Sequence, residues 1–253
     1  MSYLVDSHLH VTMMSYQGLQ AMAEGGIKKA ITCAIVLGAQ HAESYFDHFR
    51  QITGFYKKNA DGLGIKLYST IGVHPAGIPH DWPRVIDALP DFLKIEGVVG
   101  LGEVGMNQGS QLERDVLKAQ FEVARDHKLP IIVHTPFENR LPITELTLNI
   151  AAQANIPPHL LIIDHVNLDI LDMVNQFGAM PAITIRSRNV TTEALYENME
   201  QFQHGMLNCD FSNLFPNDPT AVIKAYQYLK SRGVSETIIE NITCKKAEKI
   251  FNI

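Results

Sequence analysis

The chain has 253 residues, 46% of them hydrophobic and 19% charged, and a formal net charge of −6. That composition fits a globular chain able to bury a full-size core, and it excludes an intrinsically disordered one. The acidic balance argues against tight, sequence-blind binding of long nucleic acid through a basic face, although a nucleic-acid end could still reach a metal site, where cations supply the positive charge.

The chain opens on an apolar run followed by two histidines two apart, YLVDSHLHV, at residues 3–11. From there a rhythm sets in. Strand-like runs are predicted at 3–8, 28–36, 65–73, 97–103, 130–134, 160–165, 179–185 and 206–210. Helices are predicted between and after them at 16–24, 40–58, 83–95, 111–127, 140–153, 168–176, 191–203 and 219–231. Strands alternating with helices mean βαβ units and a parallel sheet. Eight such units in this length predict a single-domain α/β chain over 1–253, a (β/α)8 TIM barrel. An open doubly wound sheet is the alternative. It would require a phosphate-binding glycine loop, and GVVGLGEVG runs into Glu103 instead of opening a helix.

No apolar run approaches the ~18 residues of a membrane span. The start MSYLVDSH has no basic segment leading into an apolar one, so no signal peptide is expected. The three cysteines, Cys33, Cys209 and Cys244, form no close pair. A reducing, cytoplasmic setting fits them better than a disulfide framework. Cys209 and Cys33 are expected to be buried, small apolar groups.

The strand ends carry the chemistry. His8 and His10 end the first run, His74 follows the third, Glu103 ends the fourth, His134 the fifth, His165 the sixth and Asp210 the eighth. Residues two apart in a strand share a face, so His8 and His10 can hold one ion together, with Asp6 a step deeper. In a TIM barrel the strand C-termini converge at one mouth, where active sites are built. A lone histidine is ordinarily a hydrogen-bonded core residue. Four histidines and two carboxylates at one relative position would repel or desolvate one another without a cation. There are ligands enough for two divalent ions, with the two oxygens of Glu103 as a bridge. Ions roughly 3.5–4 Å apart would polarise a water between them to a bridging hydroxide. Imidazole with carboxylate suits Zn, Mn, Fe, Co or Ni, with Mg also open, and does not select among them.

The segments DSHLH, GVHP, GLGEVG, QFEVARDHKLPIIVHTP, DHVN and CD resemble, in order and spacing, the TatD-like branch of the amidohydrolase superfamily, from residue 5 to the end, where NITCKKAEKIF resembles the family's closing helix. VGLGEVGMN, IIVHTP, IIDHVN and MLNCD look closer still to a less characterised side group of predicted TIM-barrel hydrolases. The resemblance implies that His8, His10 and Asp210 hold one ion, His134 and His165 the other, and that Glu103 bridges them. It also implies that Asp210 takes the proton of the attacking water and passes it to the leaving group. Departures fall on the substrate side. Asn208 and Cys209 precede Asp210 where family nucleases usually carry Glu two positions before the Asp. Gly105, Met106 and Asn107 stand where GLD is usual, and Ala76 replaces a polar or aromatic residue.

Around the mouth, His74, Arg140, Arg186 and Arg188 are expected to meet substrate, as is Asn167. Arginine suits phosphate or carboxylate through paired N–H donors, so the substrate would be a small anion or a nucleic-acid end. The expected activity is hydrolysis of a phosphoric ester, of deoxyribonuclease or phosphodiesterase type. The alternatives are hydrolysis of a small amide or lactone, and a metal-binding scaffold without catalysis. The sequence leaves the oligomeric state open.

Overall fold

The computed structural model describes residues 3–253. Eight parallel strands are arranged in sequence order: β1 Leu4–Leu9, β2 Ile27–Cys33, β3 Lys66–Ile71, β4 Val98–Gly105, β5 Ile131–His134, β6 Leu161–Ile163, β7 Met180–Thr184 and β8 Met206–Asn208. Each lies on or within a few residues of its predicted run. Strands covered on both faces read as continuous β-branched runs, which is why they stand out in the sequence. Between β8 and β1 the barrel is completed by the N–H of Asp210 to the carbonyl of His8 (2.9 Å) and that of His10 to the carbonyl of Phe211 (3.0 Å). The architecture is a (β/α)8 TIM barrel, as predicted, with the helices outside it.

Helices Tyr16–Glu24, Gln111–His127 and Arg140–Gln153 occupy the predicted spans. The helix predicted over 40–58 runs from Ala42 through a π-helical turn, Ile52–Tyr56, to Gly62. The one predicted over 191–203 is broken into Thr192–Glu197 and Met199–Phe202. Asn198 causes the break. Its side-chain N–H donates to the carbonyl of Ala194 (2.9 Å), and its backbone leaves helical geometry. After Ser231 the chain adds Glu236–Glu240, a π turn Asn241–Lys245 and Lys246–Phe251. This closing segment packs Cys244, Ala247 and Phe251 against Val5, Ile31 and Tyr68. There Glu248 also accepts hydrogen bonds from Tyr3 and Lys29.

Five predicted strands, β2, β3, β6, β7 and β8, end one to three residues early, and for two of them this matters for the site. β6 stops at Ile163 and β8 at Asn208. His165 and Asp210, two residues further on, sit at φ 57° and 42°, in the left-handed region. Histidine and aspartate tolerate that region better than most residues, and such strain clusters at functional sites.

Candidate metal centre

Six side chains meet at the C-terminal mouth. His8, His10, Glu103, His165 and Asp210 are buried, and His134 is half-buried. Glu103 is the hub. Its Oε2 lies 3.4 Å from Nε2 of His8 and 3.4 Å from Nε2 of His10. Its Oε1 lies 3.1 Å from Nδ1 of His134 and 3.1 Å from Nε2 of His165. Asp210 Oδ1 lies 3.3 Å from Nε2 of His10 and 3.8 Å from Nε2 of His8. The two carboxylate oxygens of Glu103 therefore face two separate groups of nitrogens.

Glycine sets this hub in place. A Cβ on Gly102 would stand 2.9 Å from Cβ of Ile132, and one on Gly105 would stand 2.7 Å from the carbonyl oxygen of His134. Both have strongly positive φ. The glycines flanking Glu103 thus let β4 press against β5 in a conformation other residues rarely adopt.

The far side of each ring shows what the near side offers. His10 Nδ1 donates to the carbonyl of Cys33 (3.0 Å). His165 Nδ1 donates to Thr184 Oγ1 (2.8 Å), and His134 Nε2 donates to Asn107 Oδ1 (3.1 Å). His8 Nδ1 donates to Asp164. When neutral, each ring thus turns the lone pair of its other nitrogen towards Glu103. Acceptors behind metal-binding imidazoles fix the tautomer in this way. The Nε2 of His8 is buried with no hydrogen-bond partner among the described residues. The residues present fit the binding of divalent metal. Three groups have ligand atoms within 4.8 Å of one another, namely His8–His10–Asp210, His74–Glu103–His134 and His8–Glu103–Asp164.

His74 differs from the other four. Its Nδ1 accepts the backbone N–H of Ala76 (3.0 Å), so its neutral ring carries the proton on Nε2, 3.6 Å from Glu103 Oε2. Burial lowers its pKa to about 3. It presents an N–H to the mouth, not a lone pair.

Burial alone would raise the pKa of Glu103, but the surrounding imidazoles, His8 first, hold it well below the usual range. Burial opposes ionisation of Asp210 as well. The neighbouring imidazoles, His10 first, outweigh it, and the carboxylate stays ionised. Arg186 Nη1 holds Asp210 Oδ2 at 2.9 Å, and its other nitrogens donate to Asn189 Oδ1. Asp6 uses its carboxylate differently, accepting the backbone N–H groups of His8 and Cys209 (3.2 Å each). Its pKa is raised to about 6 by burial.

Sequence reasoning missed Asp164. Its Oδ1 accepts from the N–H of His165 (2.7 Å), Nδ2 of Asn208 (2.9 Å) and Oγ1 of Thr184 (3.4 Å), while Oδ2 takes His8. One carboxylate thus orients His8 directly and His165 through Thr184. The signal was an aspartate directly before His165 at the end of an apolar run. Asn208 and Asn107, two departures from the family pattern, turn out to support Asp164 and His134.

The mouth above this floor is a cavity of about 270 Å³. Its polar lining includes His74, Asn107 and Arg186, and its wall includes Ile35, Leu37, Phe137 and Phe215. Of the other expected substrate contacts, Arg140 and Arg188 stack about Phe137 at the rim. Asn167 precedes the helix Leu168–Phe177, donates to Asp169 (2.8 Å) and lines a separate cavity with Asn189. Cys209 is fully buried in the core. Cys33, expected mid-strand, is the last residue of β2 and also buried. No helix among the described residues is long and apolar enough to cross a membrane.

Comparison with known proteins gives the family and the fold. An uncharacterised metal-dependent hydrolase of Methanocaldococcus jannaschii is 30% identical over 252 residues, covering 99% of this chain and 100% of the relative. The crystal structure of a TatD-like protein from Archaeoglobus fulgidus superposes with a TM-score of 0.85 at 29% identity, covering 98% of this chain and all of that one. At 15% identity, a phosphotriesterase homology protein from Escherichia coli, crystallised with phosphate in its active site, shares the fold with a TM-score of 0.75 over 99% of both chains. The family model of the TatD-related DNases matches residues 5–252, and this chain belongs to that family of metal-dependent hydrolases.

Proposed function

We propose that the protein hydrolyses phosphoric esters with two divalent cations, one held by His8, His10 and Asp210 and the other by His134 and His165, with Glu103 between them. The observation that carries this reading is the convergence of four histidine ring nitrogens on the two oxygens of Glu103. When bound, such cations act as Lewis acids and lower the pKa of a coordinated water. The chain does the rest. Asp210, ionised and acceptor-only, takes the proton of the attacking water and hands it to the leaving group. Arg186 fixes the orientation of that carboxylate from one side. The Nε2–H of His74 donates to an oxygen of the substrate, aided by burial that keeps the ring neutral. The cavity admits a small ester or a chain end, not the middle of a duplex. Three buried, unpaired cysteines accord with a cytoplasmic setting.

A second reading, hydrolysis of a small lactone or amide, is favoured by the apolar wall of Ile35, Leu37, Phe137 and Phe215. The deciding experiment is hydrolysis of bis(p-nitrophenyl) phosphate and of short single-stranded DNA by manganese-loaded protein, with Glu103→Ala as control. Cleavage lost in the variant supports the ester reading. No cleavage by protein shown to carry two ions moves the assignment to a lactone or amide. If a panel of those is also untouched, the protein is a metal-binding scaffold.

A further inference from the structure

Three guanidinium groups gather about one aromatic ring beside the metal floor. The Cζ atoms of Arg140, Arg186 and Arg188 lie 5.5, 5.3 and 4.8 Å from the centre of the Phe137 ring. Arg188 also lies 5.4 Å from the centre of the Phe215 ring. Phe137, Phe215 and Arg186 line the mouth cavity. Cation–π contact holds such groups together at modest energy but does not neutralise them.

Their charge is mostly uncompensated. Among the described residues, the ion pair of Arg186 with Asp210 is the one carboxylate contact any of the three makes. Arg140 is only 9% exposed, yet its Nε alone is used, on the carbonyl of Pro136 (2.9 Å). Its two terminal nitrogens have no hydrogen-bond partner among the described residues. The opposite charges of Asp169 and Asp164 act on it only through their fields. The stem of Arg140 is thus packed away while its terminal nitrogens keep donors free for a ligand. Arg140 also begins the helix Arg140–Gln153, whose N-terminus has no side-chain cap, so the helix dipole adds to the positive field.

We propose that Arg140, Arg186 and Arg188 form a subsite for a second phosphate of the substrate, beside the group that is hydrolysed. The proposal rests on the phosphoric-ester reading and narrows it to substrates bearing two phosphates. Phosphate is favoured over carboxylate on charge and shape. Three guanidinium groups match a dianion with three peripheral oxygens better than a planar monoanion.

The test is calorimetric binding to metal-loaded protein of thymidine 5′-phosphate and thymidine 3′,5′-bisphosphate. The bisphosphate binds about tenfold tighter or more, the scale of one added charge-assisted contact. In Arg188→Gln, an exposed position safe for folding, and in the Arg140→Gln, Arg188→Gln pair, that ratio falls towards one. Metal content and thermal unfolding are read alongside. Equal affinity in the wild type, or a ratio that survives both substitutions, overturns the subsite. A 3′-O-carboxymethyl analogue that gains as much as the 3′-phosphate overturns the choice of phosphate. Hydrolysis of bis(p-nitrophenyl) phosphate, which has no second charge, reads the ester activity alone. Activity without a bisphosphate preference refutes only the subsite. The preference without activity refutes only the ester reading.

Discussion

Asp164→Asn removes one interaction from the site and leaves the rest of the residue's contacts. Three of the four donors to Asp164, namely the His165 N–H, Asn208 Nδ2 and Thr184 Oγ1, meet Oδ1. Oδ2 meets His8 alone. An asparagine whose oxygen occupies the Oδ1 position keeps three contacts and turns its NH2 towards His8. Flipping the amide is blocked, because the NH2 would then face all three donors. His8 must respond by accepting at Nδ1 and carrying its proton on Nε2, which removes the lone pair aimed at the first ion. The lost charge-assisted hydrogen bond amounts to about 1.5–3 kcal/mol, on the order of 10–100-fold in affinity for that ion. Metal titration by calorimetry reads the affinity, and imidazole ¹⁵N–¹H correlation spectra of the metal-free protein read the tautomer. Two ions bound at wild-type affinity by a variant with an unchanged fold would refute the reasoning.

Four further perturbations have definite expected outcomes. Asp210→Asn abolishes turnover while retaining the fold and much of the metal, so a variant hydrolysing at full rate would remove Asp210 from the proton path. His74→Leu keeps two ions per chain by elemental analysis but loses about 10–100-fold in kcat/KM; loss of an ion would make His74 a ligand and overturn its Nε2–H tautomer. Gly102→Ala sets a Cβ 2.9 Å from Ile132 at a φ of 145° and costs about 3 kcal/mol by denaturant unfolding, so a change under about 0.5 kcal/mol would mean the strand relaxes freely. His48 is buried with its Nε2 accepting the N–H of Ile35 (3.2 Å), and burial, with a smaller contribution from His10, lowers its pKa to about 4 from 6.5. Between those values the unfolded chain holds the extra proton, so stability falls as pH drops through 6.5 and the loss is complete near pH 4. That amounts to about 3 kcal/mol at most, and His48→Gln should flatten the slope in this window.

The barrel was legible because its signals are local. Strands buried on both faces give runs such as PIIVH, and the capping box of Ser110 with Glu113 marks the start of Gln111–His127. The six ligand candidates were legible because the fold puts strand ends in one place. What sits behind them was not. Asp164 supports a histidine 156 residues away, and Asn107 supports one 27 residues away. No periodicity encodes a pairing across a barrel. The early ends of β6 and β8 escaped for a related reason: the left-handed turn at His165 lies between hydrogen bonds to neighbouring strands, from the N–H of Asp164 to the carbonyl of Val133 and from that of Val166 to the carbonyl of Ala182. The gathering of Arg140, Arg186 and Arg188 depends on Phe137, which in PFENR reads as one more loop residue.

The central claim is that Glu103 stands between two metal ions. Its most direct test is anomalous diffraction from crystals of manganese-loaded protein, collected for the wild type and for Glu103→Ala. The account predicts two anomalous peaks in the wild type, one beside His8, His10 and Asp210 and one beside His134 and His165, with at least one lost in the variant. A single wild-type peak, or two peaks that persist undiminished without the Glu103 carboxylate, would contradict it.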